Sequence, residues 1–111
     1  MQEKSIQHKL IMTTIGTEQQ ALALAEQLIN QKLAACVNIL PKMQSIYRWQ
    51  GKLERGEEHL LLIKTLASHV EAVFEAVRAD HPYELPEIIV VPIEDGYEPY
   101  INWITTSVDP L

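Results

Sequence analysis

Cysteine is nearly absent: Cys36 is the one thiol in 111 residues. A lone thiol closes no intrachain disulfide and builds no thiolate-rich metal cage within one chain, and it fits a reducing compartment. Positive charge is also scarce, with 9 Lys and Arg against 15 Asp and Glu, a formal net charge of −6. Such a surface repels phosphate backbones, so a general nucleic-acid binder is not expected. No apolar run approaches the ~20 residues that cross a bilayer, so no membrane partner is expected. The polar start from Met1 to His8 carries no apolar core of a secretory signal, and the expected location is cytoplasmic. Glycine is sparse, and no G-x-G-x-x-G, Walker loop or G-x-S-x-G elbow occurs. No two histidines stand at i, i+4, so no helical zinc motif exists.

What is there reads as an ordinary globular chain, 47% hydrophobic, and its length suits one domain over residues 1–111. Residues 9–15 are short, apolar and β-branched, the pattern of a buried strand, and Gly16 breaks it. Thr17 stands three residues before Gln20, a capping-box spacing. Behind it Ala21, Leu22, Leu24, Ala25, Leu28 and Ile29 form an apolar stripe at helical period, with the helix ending near Leu33. Residues 35–40 read as a second strand interrupted by Pro41, and the β pattern resumes over residues 45–49. Gln50-Gly51-Lys52 turns the chain into a third strand, residues 57–65. The hairpin so formed has arms that outreach a compact monomer.

Ser68 and Glu71 repeat the capping-box spacing ahead of a second helix with Val70, Val73, Phe74 and Val77 on its stripe. His81-Pro82 ends it. Residues 88–93 make a fourth strand, Asp95-Gly96 signals a turn, and Pro99 opens a short helix over residues 99–107. The order is βαββαβ with a C-terminal helix, an α+β chain of ferredoxin-like topology: one antiparallel sheet with both main helices on one face. The proline-bearing second and fourth strands belong at its edges. The face away from the helices must be polar or covered, and Tyr47, Trp49, Leu61 and Ile63 in long arms point to coverage by other subunits.

The densest chemistry lies in His81-Pro82-Tyr83-Glu84-Leu85-Pro86-Glu87, where an imidazole, a phenol and carboxylates share a proline-stiffened connection. His81 and Glu87 could ligate a metal or exchange a proton; alternatively the loop is simply rigid, with His81 at the helix C-terminus. Glu84 reads as a solvated charge. Tyr47 and Trp49, two apart, face one side of a strand as cleft or interface residues. Lys64 ends an apolar run and could bind an anion or, preferably, pair with a carboxylate such as Glu87. Cys36 in its apolar strand reads as an inert buried thiol, and His8, His59 and His69 as solvated. No nucleophile–base pair can be placed, so an enzyme is not expected.

Four blocks together resemble the CutA family of divalent-cation tolerance proteins. They are Leu33-Ala34-Ala35-Cys36-Val37-Asn38-Ile39-Leu40-Pro41, Ser45-Ile46-Tyr47-Arg48-Trp49-Gln50-Gly51-Lys52, Ile63-Lys64-Thr65, and His81 through Ile88, followed by Tyr100-Ile101-Asn102-Trp103. The resemblance implies a ferredoxin-like homotrimer with hairpins extended between subunits, a cytoplasmic location, and a role in tolerance to copper and other divalent cations. It implies no established reaction. Some relatives carry a cysteine just after the first strand, where this chain has Thr13 or Thr14, and a second histidine where it has Asp80. Three readings follow: a trimeric cation-response protein with His81 as a copper or other metal ligand; a regulatory trimer resembling the PII signalling proteins, with a small ligand among Tyr47, Trp49, Lys64, His81, Tyr83 and Glu87; or a structural, partner-anchoring trimer.

Overall fold

A computed structural model of the chain describes residues 6–108 and residue 110. Residues 1–5, which hold most of the polar start, lie outside the described residues. Four strands, β1 (His8–Ile15), β2 (Cys36–Trp49), β3 (Lys52–Leu66) and β4 (Ile88–Ile93), form one antiparallel sheet in the order β2-β3-β1-β4. Helices α1 (Glu18–Asn30) and α2 (Val70–Asp80) make the two crossovers, and α3 (Glu98–Ser107) follows β4. This is the ferredoxin-like arrangement, and both strands that carry proline are at the edges, where a missing N–H breaks no ladder.

Each helix is cut from the sequence by a local device. Thr17 caps α1, its Oγ1 accepting from the Gln20 N–H at 3.2 Å while its hydroxyl donates to Gln20 Oε1 at 2.9 Å. At the other end Leu33 N–H bonds Leu28 O and Lys32 N–H bonds Ile29 O. That is a Schellman closure with Lys32 in the left-handed region at φ 57°. The second capping box does not form. A turn of 3-10 helix at Ala67–His69 leads into α2, whose cap residue His69 makes no side-chain cap bond, and Ser68 Oγ bonds the His69 ring instead.

Ala21, Leu24, Ala25 and Leu28 of α1 are buried with Val73 and Val77 of α2 against Ile11, Ile15, Leu61 and Ile63 of the sheet. Leu22 and Ile29, expected on the same stripe, are half-exposed on its shoulder. A second cluster of Leu66, Ile104 and Val108 seats α3 at the far end, where Thr105 Oγ1 donates to Ile101 O and bonds His8 Nε2 at 2.8 Å.

The opposite sheet face lacks this cover. Its rows carry Leu10, Met12, Leu60 and Leu62 in the centre and Leu40 and Ile89 at the rims, the last two each 45% exposed. Beyond Glu58, β2 and β3 pair only with each other, from Met43↔Glu58 to Trp49↔Lys52. They form a two-stranded arm that stretches the molecule to 54 Å against 26 and 24 Å in the other directions. Gln50 and Gly51, at φ 52° and 82°, close it with the two left-handed residues of a tight hairpin. The two β2 segments read from sequence are thus one strand, with Pro41 and Lys42 opposite His59 in a bulge between Leu40 and Met43.

Lys32 holds a conformation that a side chain resists and glycine does not. Lys32→Gly is expected to raise stability by about 0.5–1 kcal/mol, read as a higher thermal midpoint. A lower midpoint would show that the lysine contributes more than the strain costs.

Candidate functional site

The loop of residues 81–87 is built around His81. Pro82 turns the backbone out of α2, leaving His81 extended at ψ 131° as its C-cap. The ring then faces back to β1, where Nε2 lies 2.8 Å from Thr14 O. A carbonyl only accepts, so Nε2 carries the proton. Nδ1 is therefore the acceptor for the Tyr83 N–H at 3.1 Å. Both nitrogens of a neutral imidazole are committed to backbone groups, and the ring also meets Tyr83 edge-on at 4.7 Å.

Tyr83 reaches across to β3, its hydroxyl donating to Glu58 Oε2 at 2.8 Å. Gly16 makes room for it: a Cβ there would stand 3.2 Å from the phenol oxygen. Glu58 is 9% exposed. Burial pushes its carboxyl upward, but hydrogen bonds from Ser45, Tyr83 and Thr14 outweigh this, so it titrates below the usual carboxylate range. The Tyr83 phenol is driven well above its ordinary value, first by burial and then by its bond to the Glu58 carboxylate. Glu58 has no distinctive sequence signal, since a Glu in the arm reads as a solvated charge. Only the register with Met43, which puts it on the open face beside Thr14, identifies it.

The bulge matters here. Before it Leu40 faces the open side, and after it the odd-numbered Met43, Ser45, Tyr47 and Trp49 do, paired with Glu58, Gly56, Glu54 and Lys52. The arm and the loop thereby enclose a cleft of about 410 Å³ lined by Thr14, Tyr47, Trp49, Glu58, Tyr83, Glu84, Leu85 and Glu87. Of the six residues expected around a small ligand, His81 holds Tyr83 from behind without lining the cleft, and four, Tyr47, Trp49, Tyr83 and Glu87, meet there.

Lys64 does not. It donates to Tyr100 Oη at 3.0 Å and lies 5.3 Å from that ring's centre, and this bond raises the ammonium pKa. The expected pairing with Glu87 fails because Lys64 stands opposite Leu10 while β4 begins opposite Thr13, roughly 10 Å farther along the sheet. Tyr100 in turn stacks on Trp103 at 5.5 Å, an aromatic pair that the sequence reading did not place.

Other expectations are corrected. Cys36 is half-buried beside Lys64 on the open face, its thiol 3.8 Å from Asn38 Oδ1. His59 and His69 are buried, at 6% and 1% exposure, because strand alternation turns one to the helix side and the short 3-10 turn tucks in the other. Thr13 is buried on the helix side with no partner for its hydroxyl among the described residues, whereas Thr14 lines the cleft. As for a metal, no three His, Cys, Asp or Glu side chains gather among the described residues. His81 has no free lone pair to offer, and it borders, together with Asp80, a hollow between α1 and α2 that is separate from the cleft. Within one chain these residues do not fit a closed copper or zinc centre.

Topology, arm and cleft thus define a ferredoxin-like protein with an elongated hairpin and a loop-capped pocket at its base. The family model of the CutA1 divalent ion tolerance protein matches residues 9–107. A divalent-cation tolerance protein CutA of Thermus thermophilus is 42% identical over 96 residues, covering 86% of this chain and 93% of that one. A CutA homolog of Xenopus laevis is 53% identical over 81 residues, 73% of this chain. The chain spans about half the length of the animal relatives it matches, 54% for Xenopus laevis and 51% for mouse.

Among solved structures, CutA1 of Oryza sativa superposes with a TM-score of 0.92 at 38% identity, covering 95% and 96% of the two chains. One from Archaeoglobus fulgidus, described as a periplasmic divalent cation tolerance protein CutA, gives 0.89 at 36%, covering 92% and 99%. The chain belongs to the CutA1 divalent ion tolerance family.

The Tyr83–Glu58 bond favours the charged carboxylate, so its contribution is present above the unfolded carboxyl pKa and is lost as pH falls through the lower folded value. Tyr83→Phe is expected to cost about 1 kcal/mol at neutral pH, to raise the Glu58 pKa, and to cost progressively less on acidification. Denaturant titrations across pH with carboxyl NMR check this. A cost independent of pH would assign the effect to packing.

Proposed function

We propose that this chain serves tolerance to divalent cations as a non-enzymatic, cytoplasmic homotrimer that meets copper weakly, without a closed binding site. Supporting the trimer are the half-bare apolar sheet face and the arm, because a two-stranded hairpin is marginal alone and needs a second surface. The lone half-buried thiol is in keeping with a reducing compartment. The observation that carries the weak-copper reading is the double commitment of His81 to Thr14 and Tyr83: a metal would have to break a backbone hydrogen bond to gain one ligand. Copper would then meet only scattered imidazole, carboxylate and thiol groups.

A second reading is favoured by one specific observation, the aromatic and carboxylate cleft at the base of the arm. Its volume falls in the usual range of ~300–1,000 Å³ for small-molecule sites. In this reading the trimer is regulatory, resembling PII proteins, and the family's cation phenotype is indirect.

Calorimetric titration of metal-stripped protein with Cu(II), alongside His81→Ala, separates the possibilities. We expect shallow heats without defined stoichiometry, alike in both proteins. A tight, saturable isotherm that disappears in His81→Ala, with the fold intact by circular dichroism, would overturn the proposal and make His81 a metal ligand.

A further inference from the structure

The cleft's chemistry is one-sided. Three carboxylates, Glu58, Glu84 and Glu87, share it with three rings, Tyr47, Trp49 and Tyr83, and among the described residues no lysine or arginine lines it. Glu58 is the buried member, with one carboxylate oxygen taking the Tyr83 hydroxyl. We propose that the cleft binds a small organic ammonium cation, held by charge at Glu58 and Glu87 and by the faces of Trp49 and Tyr47. This rests on the reading of the cleft as a ligand site and names the ligand class for it.

Two arguments favour an organic cation over a metal ion. Aromatic faces attract a weakly hydrated ammonium through the ring quadrupole but offer a metal no lone pair. A small dication gives up its water reluctantly and prefers several oxygens converging on it, whereas Glu84 and Glu87 are exposed on the loop and one Glu58 oxygen is taken by Tyr83. Anionic ligands meet repulsion from all three carboxylates. A neutral ligand would gain nothing from the three carboxylates beyond hydrogen bonds.

Choline is the probe, its neutral isostere 3,3-dimethyl-1-butanol and the anion propionate are the controls, and the full-length assembled protein is titrated by calorimetry. Saturable choline binding is expected, at least tenfold tighter than the isostere, with no propionate binding. Glu58→Gln should weaken choline tenfold or more. The exposed Glu87→Gln, which risks no folding defect, should weaken it about threefold, as expected for a partly screened charge. In Trp103→Phe the remaining indole is Trp49, so a choline-dependent fluorescence change there locates the ligand. Equal binding of choline and the isostere, or propionate binding in the cleft, would overturn the ammonium class while leaving a ligand site. No binding of any probe by the folded assembly would overturn both, including the case in which a lysine of a neighbouring copy fills the cleft.

Discussion

A sheet has two faces, and this chain brings its main helices to only one of them. Everything distinctive in the molecule depends on that inequality. The helix side is closed by Ile11, Leu61 and Ile63 under α1 and α2, a core of the kind that gives a small domain its stability at roughly 25 cal/mol per Å² of apolar area removed from water. The other side keeps Leu40 and Ile89 at 45% exposure, and the arm that leaves it has no third strand. Such a surface marks an interaction face, and the proposed trimer would cover it with copies of the same chain.

The cleft is a product of the same side of the sheet. Strand alternation would put Leu40 and Tyr47 on opposite faces, and the bulge at Pro41 and Lys42 brings them to one. Against the arm so oriented, the loop after α2 is held by hydrogen bonds from His81 to β1 and from Tyr83 to β3. The histidine acts here as a pin between elements far apart in sequence. Its two hydrogen bonds, to Thr14 O and from the Tyr83 N–H, tie the loop to the sheet and occupy both ring nitrogens.

The element order, the edge strands and the first helix cap were legible in the sequence because each rests on a local signal: period, proline, or Thr17 three before Gln20. The hairpin arm was legible from its length. Less so were features set by register. Which face Tyr47 shares, why Glu58 is buried, and why Lys64 meets Tyr100 and not Glu87 all depend on which residues stand opposite one another, and a single chain does not print that. Ser68 had the spacing of a cap, yet a 3-10 turn displaced the helix start by one residue and left its hydroxyl to the His69 ring. His81 was legible as the loop's key residue, but its bond to the carbonyl of Thr14, 67 positions earlier in the chain, was not.

Sedimentation equilibrium of the 111-residue protein, with Ile89→Lys as the companion, tests the one-sided sheet most directly. One species at three times the 12.7 kDa chain mass is expected, with the lysine on the open face driving it toward monomer. A folded, stable monomer for the unaltered chain at micromolar concentration would contradict it, because the open apolar face would then need no cover.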